Sequence, residues 1–200
     1  MRTDVRKTQN SICLALLALI KEMPYDKITV RDIVTRAEVS RSSFYNHFDE
    51  KEDVMTMIID KLCDRISGKE NLSDKEKFDR TDLVGSRFNL IDYCYSRHDE
   101  IESIYRAGFG PEFGRAVRRK LYEVHSMFEY EYVDEYGNVE VLSEGVIYDL
   151  KVWESVSTIV SVIELMFNKY TNFTSEEFDK MVEQARQLKM TGNFYIKRNA

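Results

Sequence analysis

Helix breakers are scarce in this chain. Two prolines, Pro24 and Pro111, and eight glycines are spread over 200 residues, too few for a many-turned β fold and well suited to long helices. Cysteine is scarce too. Cys13, Cys63 and Cys94 are odd in number, far apart in sequence and without a Cys-x-x-Cys pair, so neither a disulfide framework nor a zinc site is indicated. They read as half-buried thiols of a reducing compartment, with a redox sensor as the less favoured alternative. The strongest apolar run, residues 156–167, is interrupted by Ser157, Thr158, Ser161 and Glu164, which leaves it too short and too polar to span a bilayer. The first residues are charged, and the apolar stretch 12–20 has no small-residue cleavage site after it, so no secretory signal is read and a cytoplasmic address with no membrane partner is expected. A glycine-rich phosphate loop, a Gly-x-Ser-x-Gly elbow and a His-Glu-x-x-His helix are all missing, and with them the usual marks of an enzyme. No catalytic residue, cofactor or metal is expected. The run His98-Asp99-Glu100-x-Glu102 invites a metal reading, but acids at a helix start are expected from the helix dipole alone.

What is present is a soluble globular balance: 43% hydrophobic and 32% charged residues, enough to build a core rather than remain disordered. The net charge of -6 is unevenly spread. Residues 1–51 hold nine Lys or Arg against seven Asp or Glu, a balance of +2, and the remainder holds 20 against 28, or -8. A mildly basic front and an acidic back are compatible with a nucleic-acid-binding head on an acidic body.

Periodicity sets the elements. Ile12, Leu16, Leu19, Ile20 and Met23 make an apolar stripe over a helix at 6–23, which Pro24 ends because the residue before proline is pushed out of the helical region. Thr29-Val30-Arg31-Asp32 is a capping-box pattern opening a short helix with Ile33, Val34 and Ala37 inward. Glu38-Val39 makes the turn, and Ser40 caps a third helix over 41–48 whose Phe44 and Phe48 share one face. A fourth helix is predicted over 50–66. Residues 67–79 are polar and read as a linker or loop. Helices are predicted at 82–97, 99–106, 112–132, 142–170 and 175–188, with 134–141 read as a polar loop rather than a hairpin despite Gly137-Asn138.

Two short helices joined by a tight turn, the second with a basic, hydroxyl-rich outer face, form the helix-turn-helix pattern. The second helix must be braced from behind and must offer side chains that reach base edges. Arg41 can bridge to guanine, and Ser42 and Ser43 can meet bases or phosphates, with Asn46 on the same exposed side. Tyr45, His47 and Lys51 can fix the register on phosphates.

The run Thr29-Val30-Arg31-Asp32-Ile33-Val34-x-x-Ala37-x-Val39-Ser40-x-x-x-Phe44-Tyr45-x-x-Phe48-x-x-Lys51-Glu52 resembles the DNA-binding domain of the TetR family, without a gap, and Ile12, Ala15 and Leu16 followed by Pro24-Tyr25-Asp26 resemble that family's first helix and its exit. The resemblance covers about the first 60 residues. It implies an all-α fold, with a three-helix DNA-binding domain at 1–50 and a helical regulatory and dimerisation domain at 51–200. It also implies a homodimer on a palindromic double-stranded operator and a body that binds a small molecule. It would set Thr29, Tyr45, His47 and Lys51 on phosphates and Arg41, Ser42 and Ser43 in the major groove, and Arg31 and Asn46 are read as further DNA-binding residues. Two positions depart from the pattern. Glu38 stands where the family has glycine, which requires either positive φ on a non-glycine residue or a slightly different turn. Glu50 stands where a small cap is usual, so Asp49 is the alternative cap.

Beyond residue 65 the sequence matches nothing sharply. The helix at 142–170 is apolar on more than one face (Val156, Ile159, Val160, Val162, Ile163, Leu165, Met166, Phe167), as expected of a helix packed on its own core and on a partner. With the helix at 175–188 it could build a two-fold four-helix bundle. Aromatic residues are dense from Phe88 to Trp153, including Tyr93, Tyr95, Tyr105, Phe109 and Tyr122. They suit either an aromatic core or a pocket for an apolar or aromatic inducer, and no single pocket residue is assigned. Two functions of different kind compete: a ligand-responsive regulator, expected to be a repressor relieved by an inducer, and a protein-interaction module or co-activator controlled by a partner protein.

Overall fold

Ile12, Leu16, Leu19 and Ile20 recur at helical spacing, and helix α1 (Arg2–Glu22) buries all four to within 3% exposure. The computed structural model describes residues 2–66, 93–125, 128–133, 136–168, 176–177, 180 and 194–198. After α1, a single 3-10 turn (Tyr25–Lys27) leads to α2 (Val30–Arg36), α3 (Arg41–Tyr45) and α4 (Lys51–Ile66). Helices α5 (His98–Arg106) and α6 (Gly110–His125), a hairpin of β1 (Phe128–Val133) and β2 (Val139–Leu142), helix α7 (Val146–Asn168) and strand β3 (Phe194–Arg198) follow.

The fold is the helical one expected, a helix-turn-helix domain followed by a helical region, with one addition. Residues 128–133 form a strand, so the helix predicted over 112–132 ends at His125, and the stretch read as a loop at 134–141 contains a hairpin turn. The three strands run β2-β1-β3, antiparallel throughout, with Val133 opposite Val139 and Tyr130 between Leu142 and Ile196 at the Cα level. Gly137 supplies the positive φ (85°) of the hairpin turn, a conformation that costs glycine little. Other helix ends shift by a few residues. α3 stops at Tyr45 rather than at residue 48, although Phe48 N–H still donates to the Phe44 carbonyl (3.0 Å), so the chain leaves the helix through a hydrogen-bonded turn. The predicted loop at 67–79, most of the helix at 82–97 and most of that at 175–188 lie outside the described residues.

The chain divides into two compact units. One comprises residues 1–63 with 97–116, the other 64–96 with 117–200. In the first, Ile12, Leu16, Ile28, Ile33, Phe44, Val54, Met55, Ile101, Ile104 and Phe113 are buried. Helix α5 belongs to this core, and Lys21 in the last turn of α1 pairs with Asp99 in its first turn (2.7 Å). That ion pair holds the Asp99 carboxyl below its usual range.

In the second unit, α7 buries Val152, Val156, Ile159, Val160, Ile163, Met166 and Phe167. Arg118 of α6 donates to the Ser157 hydroxyl (2.9 Å), and Lys120 pairs with Asp64 (2.7 Å). All three cysteines are buried. Burial pushes the Cys13 thiol up, although Lys61 Nζ approaches its sulfur at 3.8 Å.

Candidate nucleic-acid interface

Each short element of the head is fixed by a polar device at its own end. At the start of α2 the Thr29 hydroxyl accepts from the Asp32 N–H (3.3 Å). The Asp32 carboxylate in turn accepts from the Thr29 N–H (2.9 Å) and hydroxyl (2.6 Å). This is the capping box that the sequence predicts, and those bonds hold the Asp32 carboxyl below its usual range. Both donors of Thr29 are therefore directed at a carboxylate, the kind of group a phosphate would replace. Arg31 is exposed in the same turn. At the start of α3 the Ser40 hydroxyl oxygen accepts from the Ser43 N–H (3.0 Å). At the start of α4 the cap is neither Glu50 nor Asp49: the Asp53 carboxylate accepts from the backbone N–H of both, at 3.0 and 2.9 Å.

The turn between α2 and α3 closes α2 with a paired return. Val39 N–H donates to the Val34 carbonyl (3.0 Å) and Glu38 N–H to that of Thr35 (3.3 Å), which is the Schellman arrangement. Its left-handed position falls on Glu38, at φ 55°, the one described non-glycine residue with positive φ. Of the two alternatives for this turn, the first holds.

Helix α3 then buries its aromatic anchor and exposes its polar residues. Phe44 (0%) and Phe48 (4%) are buried, with ring centroids 5.6 Å apart, and fix the helix from behind. Arg41, Ser42, Tyr45 and Asn46 are exposed, while Ser43 and His47 are half-buried. Tyr45 stands edge-on to Phe44 (5.4 Å) and His47 to Phe48 (6.4 Å). Each polar ring is thus oriented by a buried apolar one. Arg41 forms no ion pair with a described residue.

Lys51 is placed differently from the rest. Its ammonium donates to the carbonyls of Tyr25 (2.9 Å) and Ile28 (3.0 Å) and lies 4.3 Å from the Tyr25 ring centroid. Two of its three donors therefore tie the start of α4 to the turn before α2. Tyr25 also donates its hydroxyl to Glu52 (3.2 Å), and burial first, then the Glu52 charge, raises its ionisation well above the ordinary tyrosine range. Tyr25 was legible in the sequence only as the exit of the first helix. Its part as the partner of Lys51 needed the fold to bring residues 25 and 51 together.

Among the aromatic residues of the later chain, Phe109 meets Tyr25 edge to face, Tyr105 meets the buried Phe113 (6.4 Å), and Trp153 is 58% exposed. Among the described residues no cluster of three His, Cys, Asp or Glu could hold a metal, and no helix is long and apolar enough to cross a membrane.

Comparison with known proteins agrees with this geometry. Residues 12–56 match the sequence model of the bacterial regulatory proteins of the tetR family. A TetR transcriptional regulator from Streptococcus agalactiae 2603V shares the fold, with a TM-score of 0.54 at 18% identity over 92% of this chain and 96% of that one. No curated protein matches. Over residues 12–56, then, this chain is similar to the bacterial regulatory proteins of the tetR family, and that segment stands at the front of a helical fold.

Proposed function

We propose that the protein is a non-enzymatic, cytoplasmic transcription regulator that binds a palindromic operator as a homodimer and acts as a repressor relieved by an apolar or aromatic small molecule. The observation that carries this reading is α3: a short helix braced by the buried Phe44 and Phe48, with Arg41, Ser42, Tyr45 and Asn46 exposed. Arg41, Ser42, Ser43 and Asn46 read bases in the major groove, with Arg41 bridging a guanine. Thr29, Arg31, Tyr45, His47 and the remaining donor of Lys51 hold phosphates and set the register. A phosphate at Thr29 competes with Asp32 for the same two donors.

Two heads need a rigid connection. Val146 (73%), Ile147 (58%), Leu150 (56%) and Trp153 (58%) are exposed at helical spacing on the first half of α7. Such a continuous apolar stripe supports its burial against a second copy, together with the predicted helix at 175–188. The inducer favours one spacing of the two heads, since a ligand that binds both spacings equally shifts nothing. The same stripe also favours a second reading, a module controlled by a partner protein, and the -8 balance of the chain after residue 51 goes with it.

A gel shift on the DNA flanking the protein's own gene, against random competitor, tests the first reading. Specific retardation with a two-fold symmetric footprint is expected. No retardation at low salt rejects it in favour of the partner-protein reading.

A further inference from the structure

We propose that Phe109, far beyond the segment that matches the family, is a positioning residue for DNA binding that acts through Tyr25 on the start of α4. The inference rests on the DNA-binding reading above.

The corner between α5 and α6 is locked by its backbone. Gly108 N–H donates to the Tyr105 carbonyl and Phe109 N–H to that of Ile104, both at 3.0 Å, with Gly108 at φ 85°. This is the same Schellman return that closes α2, here with the glycine it favours. On the other side, the Phe109 carbonyl accepts the Phe113 N–H (3.0 Å) as α6 begins. Pro111 occupies the first turn, where a missing N–H costs nothing. Gly110 admits no side chain, because a Cβ there would lie 2.7 Å from Cδ1 of Tyr105. The backbone of Phe109 is thus held from both directions.

That ring meets Tyr25 edge to face, with centroids 5.2 Å apart and planes at 75°. Tyr25 in turn holds Lys51 through its carbonyl and its ring, and Glu52 through its hydroxyl. Lys51 and Glu52 are the first two residues of α4. At the opposite end of α5, the Lys21–Asp99 pair ties the same helix to α1. The turn before the helix-turn-helix and the first turn of α4 are therefore clamped to a corner whose Phe109 comes 84 residues after Tyr25 and 58 after Lys51. Without the Phe109 ring, Tyr25 loses its apolar neighbour, and the ring and carbonyl that hold Lys51 are released together. The phosphate-facing ends of α2 and α4 then no longer keep a fixed separation.

The test uses the full chain with Phe109→Ala and the conservative Phe109→Tyr. An edge-to-face ring pair of this kind corresponds to about two- to tenfold in an equilibrium constant. Phe109→Ala should weaken operator binding by about that factor at equal folded fraction, and Phe109→Tyr should restore it. In the DNA-free protein, amide exchange should quicken over residues 25–28 and 51–54 in Phe109→Ala and not in Phe109→Tyr. A merely destabilised head would quicken exchange throughout and would show no loss of affinity once the folded fraction is matched. Unchanged exchange over those residues, or unchanged operator affinity, overturns the proposal. If the unaltered protein binds no specific DNA, the regulator reading falls and takes this one with it, while the exchange measurement still reports whether Phe109 positions Tyr25.

Discussion

Helices α3 and α7 both bury one face and expose the other, and what they expose is opposite in kind. Behind α3 lie Phe44 and Phe48, and in front of it Arg41, Ser42, Tyr45 and Asn46. Behind the first half of α7 lie Tyr148, Val152 and Val156, and in front of it Val146, Ile147, Leu150 and Trp153. A polar exposed face narrows its partner, because hydrogen-bonding groups at fixed spacing suit base edges and phosphates. An apolar exposed face says only that water is a poor neighbour. Head and body therefore differ in how far function can be read from them, even though both are built from amphipathic helices.

The largest effect should come from spoiling the apolar face. Leu150→Glu combined with Trp153→Glu introduces two charges into the stripe, where burial without a partner is costly. If the stripe joins two copies, sedimentation should report a monomer. Operator affinity should then fall by about 10²- to 10⁴-fold, the range lost when two linked binding events become independent. A variant that still sediments as a dimer would place the two-fold interface elsewhere and leave the stripe to a different protein.

Next in size is the polar face. Arg41→Ala should cost about 1–3 kcal/mol of discrimination between operator and mismatched DNA if the guanidinium bridges a guanine. The measurement is affinity for both DNAs at one salt concentration. Equal losses on the two would reduce Arg41 to a non-specific charge.

The head was legible because its signals are local. Thr29 with Asp32, and Ser40 with the N–H of Ser43, are devices that close within three residues, so sequence spacing alone predicts them. The apolar brace of Phe44 and Phe48 is equally short in range. Where a contact spans the chain, sequence had little to offer: nothing local links Lys51 to Tyr25, or Tyr25 to Phe109. At the start of α4 the reading chose Asp49 as the alternative cap, because caps usually precede a helix. In the fold the Asp53 carboxylate of the first turn reaches back to the N–H groups of Asp49 and Glu50.

The strand at 128–133 was missed for a different reason. Phe-Glu-Tyr-Glu-Tyr-Val alternates aromatic and acidic residues, the period of a strand, but it follows a helix without a proline or glycine between them. The Gly137-Asn138 signal after it was the better guide. In α7 the sequence established apolarity on several faces, and only the fold could separate the faces its own core covers from the one it leaves open.

Lys51 joins the head's two roles, and its substitution sharpens the comparison in two measurements. Lys51→Met keeps the apolar stem and removes the charge. The carbonyls of Tyr25 and Ile28 lose a charged donor, and hydrogen bonds of that kind carry about 1.5–3 kcal/mol. Chemical denaturation should show a loss at the lower end of that range, because Lys51 is only half-buried. If its third donor also reaches a phosphate, the salt dependence of DNA binding should flatten by about one unit. A loss of stability with the slope unchanged would make Lys51 a strut of the head and remove it from the DNA contacts.

The smallest effect tests the one strained position in the head. Two helices of the same compact unit end in the same paired return, α2 at Glu38 (φ 55°) and α5 at Gly108 (φ 85°). A side chain in the left-handed region costs about 1–2 kcal/mol. Glycine there escapes that cost but loses about 0.5–1 kcal/mol more than other residues through its larger freedom when unfolded. Glu38→Gly should therefore stabilise the protein by about 0–1.5 kcal/mol and raise its melting temperature by at most a few degrees. Gly108→Ala, with nothing within 4 Å of the added Cβ, should lower it by a comparable amount through backbone strain alone. Glu38→Gly also removes an acid from the turn beside α3, so DNA affinity should rise with stability. If affinity rises while the melting temperature falls, the gain comes from charge and the Glu38 turn stores no strain. If both stay fixed, neither the strain nor the nearby charge matters to the head, and the family's preference for glycine at this position has no physical counterpart in this chain.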